Sequence, residues 1–367
     1  MQELDSISIK GFKSIASIED LKLGAINLVI GANGSGKSNF IGVFSFLNAI
    51  REGRLQEYVI KNGGADKILH FGSKVTDKID IHISFQGGIN QYDISLTSAA
   101  SDEIIPRSEF VYFWDKTYSS PLGKPIDRLG KEAGISKKNL PEIADYVRKR
   151  LDRWRLYHFH DTSITSPMKK TCSINDNRYL RPDGSNLAAY LYYLLQTHPI
   201  SYELIRKTVQ RVAPFFDDFI LEPQKLNQNN IQLEWRHKGS DTYFDAASLS
   251  DGTLRFIALT TLFLQPEEFR PSIILVDEPE LGLHPFAITM LASLIKQASK
   301  KTQVIISTQS SLLLDHFEIE DVLVANRING STQFSRLDSQ KLDVWLNDYS
   351  LGQLWEKNEL EGRPKVE

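Results

Sequence analysis

The chain is poor in cysteine. Cys172 is the single one, which excludes an intramolecular disulfide framework and fits a reducing cytoplasm. No apolar run approaches the roughly 18 residues of a membrane helix, so no membrane span is expected. The opening Met1-Gln-Glu-Leu-Asp-Ser6 carries acids and lacks both a basic start and an apolar stretch, so no signal peptide is expected. Net charge is small, −3; a general pull toward nucleic acid is excluded, and any such binding needs a local patch. No sustained heptad pattern is present, which excludes a long coiled coil. His158, His160 and Asp161 have no cysteine or further histidine near them, so a dedicated transition-metal site is not expected. What remains is ordinary: 41% hydrophobic and 24% charged over 367 residues, enough for one large domain or two modest ones.

The most informative stretch is Gly31-Ala-Asn-Gly-Ser-Gly-Lys37-Ser38, which fits G-x-x-x-x-G-K-[ST]. Ahead of it, Gly24 to Ile30 reads as a short buried strand. Behind it, Asn39 to Ile50 has apolar residues three and four apart, as on a helix. Glycines let the backbone curl so that N–H groups point inward at phosphate oxygens, and the helix adds its positive end. Lys37 would reach the β- and γ-phosphates, and the Ser38 hydroxyl would ligate Mg²⁺. A glycine turn with a stray lysine would not need strand, loop and helix in that order.

Around this loop the chain shows mixed patterning. Ile7 and Ile9 alternate with polar residues, and with Leu21 to Ile30 they make two or three strands. Ile79 to Phe85 and Ile89 to Leu96 read as an antiparallel hairpin across Gly87-Gly88. From Ser98 to Ala247 the character changes to short segments punctuated by prolines, with helical spacing at Leu140 to Trp154 and Asn186 to Thr197. Phe219 to Pro223 and Ile231 to His237 read as strands, and Trp345 to Trp355 as a closing helix. Between Arg107 and Arg181 basic residues outnumber acidic ones, most densely at Arg148, Lys149, Arg150, Arg153 and Arg155, with Trp154 and Tyr157 interleaved. That cluster reads either as the solvated face of a helix or as a contact for nucleic-acid phosphate with aromatics for stacking.

In the last third, Ser272 to Val276 is an apolar run ending in Asp277-Glu278. Strands often end in acidic turns. Beside a phosphate loop, however, the first carboxylate can orient Mg²⁺ and the second can polarise a water. A further strand, Gln303 to Ser307, leads to Thr308-Gln309-Ser310, polar side chains placed to sense a γ-phosphate.

Together these pieces resemble the ABC-type ATPase heads of the RecF and SMC group, which includes stand-alone bacterial AAA-family ATPases. The resemblance covers residues 1 to 97 and 245 to 330 and rests on five motifs. These are Ile9 to Ile15 as the first strand, Gly31 to Asn39 as Walker A, and Leu249-Ser-Asp-Gly-Thr-Leu-Arg-Phe256 as the signature. Ile273 to Glu278 follows as Walker B, and Pro279 to His284 as the D-loop. It implies an α/β ABC-ATPase head, a P-loop NTPase with a mixed sheet, from 1–97 and 245–367. A mainly helical lobe with a short β hairpin would be inserted at 98–244. It also implies ATP and Mg²⁺ as cofactors: Asn33, Gly34, Ser35, Gly36, Lys37, Ser38 and Asn39 bind nucleotide, and Ser38 and Asp277 hold the metal. Glu278 would activate water, assisted by Asp277, and Gln309 would sense the γ-phosphate. Ser250 and Gly252 would contact ATP held by a second subunit, in a homodimer or a dimer-based assembly.

Three departures accompany the resemblance. Asp251 stands where a second glycine is commoner, and Gln309 where many members have His. Gln cannot titrate near neutrality, which fits slow turnover. No glutamine is placed at the usual loop before the inserted lobe, where Leu156 to Thr162 stands. The stretch after Gln309 is too short for the nuclease domain of some relatives, so a separate effector protein is expected. The implied role is a cytoplasmic sensor or regulatory ATPase in nucleic-acid surveillance or antiphage defence. The alternatives are an ATP-gated scaffold controlling a toxic effector without DNA contact, a DNA repair ATPase, and a transporter's nucleotide-binding subunit. The Phe12-Lys-Ser14 opening and Asp251 weigh against the last.

Overall fold

Alternation of Ile7, Ile9 and their neighbours with polar residues opens the chain as β1 (Leu4–Phe12), folded back antiparallel on β2 (Ile15–Lys22). The computed structural model describes residues 3–99 and 101–360. The wholly buried β3 (Ile26–Ile30) leads through the glycine loop into α1 (Lys37–Glu52), followed by short α2 (Leu55–Lys61) and α3 (Ala65–Ile68). Then come β4 (Lys78–Phe85), β5 (Asn90–Ala99), β6 (Glu103–Phe113) and β7 (Leu122–Pro125). The expected hairpin is β4–β5, turned by Gly87 and Gly88. It belongs to a six-stranded antiparallel sheet in the order β2-β1-β4-β5-β6-β7. The boundary expected at residue 98 falls inside β5, because β6 pairs along β5 and continues the same sheet.

The chain then forms α4 (Glu142–Leu151), β8 (Trp154–Tyr157), β9 (Cys172–Ser173), α5 (Leu187–Thr197) and α6 (Pro199–Val212). Next are β10 (Phe216–Ile220), β11 (Asn230–Ile231), β12 (Glu234–His237) and β13 (Tyr243–Asp245). β10, β12 and β13 make a three-stranded sheet rather than a lone hairpin. Last come α7 (Asp251–Leu264), β14 (Ile273–Asp277), α8 (Pro285–Ser299), β15 (Gln303–Ser307) and α9 (Ser311–Leu314), then β16 (Val322–Ile328), β17 (Ser331–Arg336), α10 (Ser339–Leu346) and α11 (Leu351–Lys357). The single closing helix expected over Trp345 to Trp355 is therefore two. Ser350 caps α11 in a reciprocal capping box with Gln353, and that local competition breaks the run.

The second six-stranded sheet, β17-β16-β3-β15-β14-β8, is parallel except for its β17 edge. Its strands read as continuous apolar runs because both faces are covered. Leu28, Ile274 and Ile306 face one core with α5 to α9; Val29, Leu275 and Ile305 face the other, with α1 and the antiparallel sheet. Buried Gln303 ties the two sheets. Its amide donates to Leu4 O (3.0 Å) and Gly24 O (2.8 Å), and its carbonyl accepts from Leu4 N (2.9 Å). β8 joins the parallel sheet beside β14, so the segment expected to be a separate lobe supplies an edge strand of the core. Among the described residues no helix is long and apolar enough to cross a membrane.

Candidate functional site

β3 delivers its carboxyl end to the glycine loop, which turns through left-handed backbone at Gly34 (φ 79°) and Gly36 (φ 105°) into α1. At Gly36 a Cβ would sit 1.9 Å from Thr332 Oγ1, so this position needs both the φ and the missing side chain. The loop is braced from below. Asn39 donates to Ser14 Oγ (2.7 Å), Ser14 pairs with Thr332 Oγ1 (2.7 Å), and Thr332 donates to Ser35 O (2.9 Å). Arg327 reaches Gly34 O at 3.4 Å. Asn33, Gly34 and Ser38 are exposed at the mouth.

Lys37 is buried and donates to Gly31 O (2.6 Å) and Ala32 O (3.1 Å). Burial pushes its amine below the usual lysine range, opposed by the nearby carboxylates of Glu278, Asp277 and Glu280. Among the described residues, Ser35 Oγ is buried without a partner. An orphaned hydroxyl and a partly desolvated cation at a helix start fit a phosphate group. The Ser38 hydroxyl and Asp277 carboxylate, both oxygen donors, suit Mg²⁺.

Asp277 ends β14 opposite Ser307 of β15, and Ser307 Oγ donates to its carboxylate. Asp277 and Ser38, far apart in sequence, line one cavity of about 580 Å³ together with Trp154, Leu156 and His158. Glu278 adopts φ 39°, rare for a non-glycine, with its N–H donating to Ser307 O (2.9 Å). Gln309 donates its side-chain amide to the Glu278 carboxylate. Its flanking residues do other work: Thr308 is buried and donates to Glu280 Oε1 (2.5 Å), and Ser310 caps α9. Glu280 is buried, its second carboxylate oxygen has no partner among the described residues, and burial pushes its carboxyl above the usual range.

The signature residues lie elsewhere. Ser250 is exposed and caps α7, accepting from Thr253 N at 3.2 Å. A Cβ on Gly252 would sit 2.2 Å from Gly282 O, so this glycine permits close packing against the D-loop of its own chain. Among the described residues, no hydrogen bond or ion pair joins Ser250 or Gly252 to the phosphate loop. Asp251 faces Lys169 at 3.6 Å.

The two aromatics interleaved with the basic cluster in sequence are not available for stacking. Trp154 and Tyr157 are buried as part of β8, whose pairing with β14 needs them inside. Arg150 pairs with buried Glu3 (2.6 Å), Lys149 with Asp145 (2.7 Å), and Arg148 donates to Lys137 O (2.5 Å). Arg155 donates to Asp152 O and Trp154 O. Sequence reasoning missed Thr332 and Arg327 behind the loop, and Ser307 and Glu280 beside the carboxylates. The Ser307 position alone carried a signal, at the polar end of an apolar strand. His158, in the loop read before the inserted lobe, lines the cavity of Ser38 and Asp277, a placement its sequence position does not signal.

Comparison with known proteins agrees with this architecture. Residues 26–315 match the family described as "AAA domain, putative AbiEii toxin, Type IV TA system". No curated protein matches the sequence. Among solved structures, the fold is similar to an SMC head bound to the C-winged helix domain of ScpA, at TM-score 0.62 and 18% identity, covering 94% of this chain and 100% of that one. It is also similar to the Smc head with an extended coiled coil bound to the C-terminal domain of ScpA from Pyrococcus furiosus (TM-score 0.59, 15% identity, 95% and 99% covered). The Smc head with coiled coil and joint from Pyrococcus yayanosii is a third (TM-score 0.55, 13% identity, 95% and 99% covered). With the fold of an SMC-type head and a family match spanning most of its length, the chain belongs to the "AAA domain, putative AbiEii toxin, Type IV TA system" family of ABC-type P-loop ATPases.

Proposed function

We propose that this protein binds and hydrolyses ATP in a sandwich dimer and uses the nucleotide state to control a separate effector. The observation that carries the reading is the convergence of Lys37, Ser38, Asp277, Glu278 and Gln309 at the loop mouth, while Ser250 stands exposed and, among the described residues, has no hydrogen bond to them. Lys37 and the loop amides from Asn33 to Asn39 hold phosphates, and Ser38 and Asp277 hold Mg²⁺. ATP bound there supplies the phosphoanhydride to be cleaved. Glu278 accepts the proton of the attacking water, and Gln309 orients that carboxylate. Ser250 and Gly252 complete the site of a second copy. The test is ATP binding and hydrolysis by the purified chain, with assembly followed by sedimentation velocity. A protein that neither binds nor hydrolyses ATP overturns the proposal.

The role is a sensor or regulatory ATPase in antiphage defence or nucleic-acid surveillance, in the cytoplasm. The family's description, with its AbiEii toxin and type IV toxin–antitoxin system, supports defence; SMC heads bound to ScpA domains support a docked partner protein. A second reading, the ATP-gated scaffold that touches no nucleic acid, is favoured by one observation. Arg148, Lys149, Arg150 and Arg155 are engaged within the chain, and Trp154 and Tyr157 are buried.

A further inference from the structure

Arg255 lies on α7, the helix that Ser250 caps, and its side chain is buried. Nε donates to Phe159 O at 2.9 Å, and a second guanidinium nitrogen donates to His160 O at 3.1 Å. The third, Nη1, lies 3.4 Å from where a Cβ on Gly282 would be, at the D-loop. Taking a guanidinium out of water costs free energy; here two backbone carbonyls hydrogen-bond it, and the Asp251 and Glu280 carboxylates favour its charge without hydrogen-bonding it. Such a residue serves geometry. Its planar fork fixes two successive carbonyls at once.

Those carbonyls belong to the segment that follows β8. The same segment is tied to α7 a second time. Lys169, with a side chain only 8% exposed, donates to Thr162 O (2.6 Å) and faces Asp251 (3.6 Å) at the first turn of α7. Asp251, where a glycine is commoner, thus has a partner in this chain. The anchored segment begins with His158, whose N–H donates to Pro182 O (2.9 Å) and which lines the cavity shared by Ser38 and Asp277. Arg255 therefore stands between the exposed signature and the cavity, touching elements of both.

We infer that Arg255 is a positioning residue that locks the segment after β8 to the signature helix, so that movement of α7 is delivered to His158 beside Asp277 and Ser38. This deepens the proposed function and rests on it. Docking of a second copy on Ser250 would reach the hydrolytic site of the same chain through Arg255, with Asp251–Lys169 keeping the segment in register. Lys in place of Arg keeps the charge but offers no fork, so it restores only part of the coupling.

The experiment uses the full chain and four variants: Arg255→Gln, Arg255→Lys, His158→Ala, and Arg255→Gln with His158→Ala. Hydrogen exchange without nucleotide is read over residues 158–170, alongside affinity for a fluorescent ATP analogue and kcat. Arg255→Gln is expected to speed exchange at 158–162 and leave β3 and β14 protected. It should change analogue affinity less than about threefold and lower kcat about tenfold or more, with Arg255→Lys in between. In the His158→Ala background the same change should lower kcat less than about twofold, since residues acting through one another are non-additive. Unchanged exchange at 158–162, or kcat losses that multiply, overturns the inference. Should Arg255→Gln fail to fold, Lys169→Met releases the second tie and is read by the same exchange criterion. A wild-type chain that does not bind the analogue defeats the proposed function instead, and the exchange result still decides whether Arg255 holds the segment.

Discussion

Gln309 donates its side-chain amide to the carboxylate of Glu278, joining the loop after β15 to the turn after β14. Glu278 is held there by a left-handed backbone and by Ser307 O, so the carboxylate is aimed by main chain and side chain together. An amide partner orients a carboxylate without competing for its proton.

Glu278→Gln is therefore expected to keep ATP binding and lose hydrolysis by about 10²- to 10⁴-fold, the range for removing a general base. With hydrolysis blocked, ATP and Mg²⁺ should shift the protein toward a dimer or a dimer-based assembly. Adding Ser250→Arg, at an exposed position, should reverse that shift. Sedimentation velocity with and without ATP measures both; normal turnover by Glu278→Gln removes the catalytic assignment.

Lys37→Ala should weaken ATP binding about 10- to 100-fold, the value of one charge-assisted contact. The protein should stay folded, because Lys37 leans on loop carbonyls rather than on the core. Titration with a fluorescent ATP analogue, beside a thermal melt, checks it. Undiminished affinity places the nucleotide elsewhere.

Gly252→Ala tests packing inside one chain. The added Cβ meets Gly282 O, and overpacking of this kind costs about 1–3 kcal/mol. The melting temperature should fall even in monomer without ATP. A variant that melts like wild type but fails only to dimerise would show that Gly252 serves the partner's site alone.

Glu280→Gln predicts a pH dependence. Burial raises the Glu280 carboxyl above its ordinary value, so the folded chain holds this proton more tightly than the unfolded one. That contribution is complete below the ordinary carboxylate pKa and is lost as pH rises through the raised value. The amide mimics the protonated form and can still accept from Thr308 and Gln309 N. Glu280→Gln should thus gain melting temperature over wild type as pH rises from 4 to 8, with little difference at the acid end. A gain that is largest at pH 4 has the wrong sign.

The basic cluster gives a negative expectation for nucleic acid. Replacing the exposed Lys149 and Arg153 with Gln should leave DNA and RNA affinity and its salt slope unchanged. Arg150→Gln should instead lower thermal stability, because it leaves buried Glu3 without its partner. A reduced salt slope for the double variant restores the cluster as a phosphate contact.

Much that depends on contiguous backbone was legible in the sequence, although the local capping box that separates α10 from α11 was not. Gly31 to Ser38 specify their own turn, the apolar runs of β3, β14 and β15 announce a sheet covered on both faces, and Ser250 caps the helix it precedes. Those local rules placed the nucleotide loop and the two carboxylates. Tertiary structure decided what distant residues do to one another. Thr332 braces Ser35 across 297 positions, and Gln303 ties Leu4 across 299. β8 leaves the expected lobe to join β14, which buries Trp154 and Tyr157 and turns a would-be stacking surface into core. As signature letters, Asp251 is a departure and Gly252 a match, and neither shows its neighbour in the fold. Only folding gave one a lysine and the other a carbonyl at the D-loop. The physical reason is that a hydrogen bond or a close approach depends on distance in space, which hydrophobic period and turn chemistry do not encode.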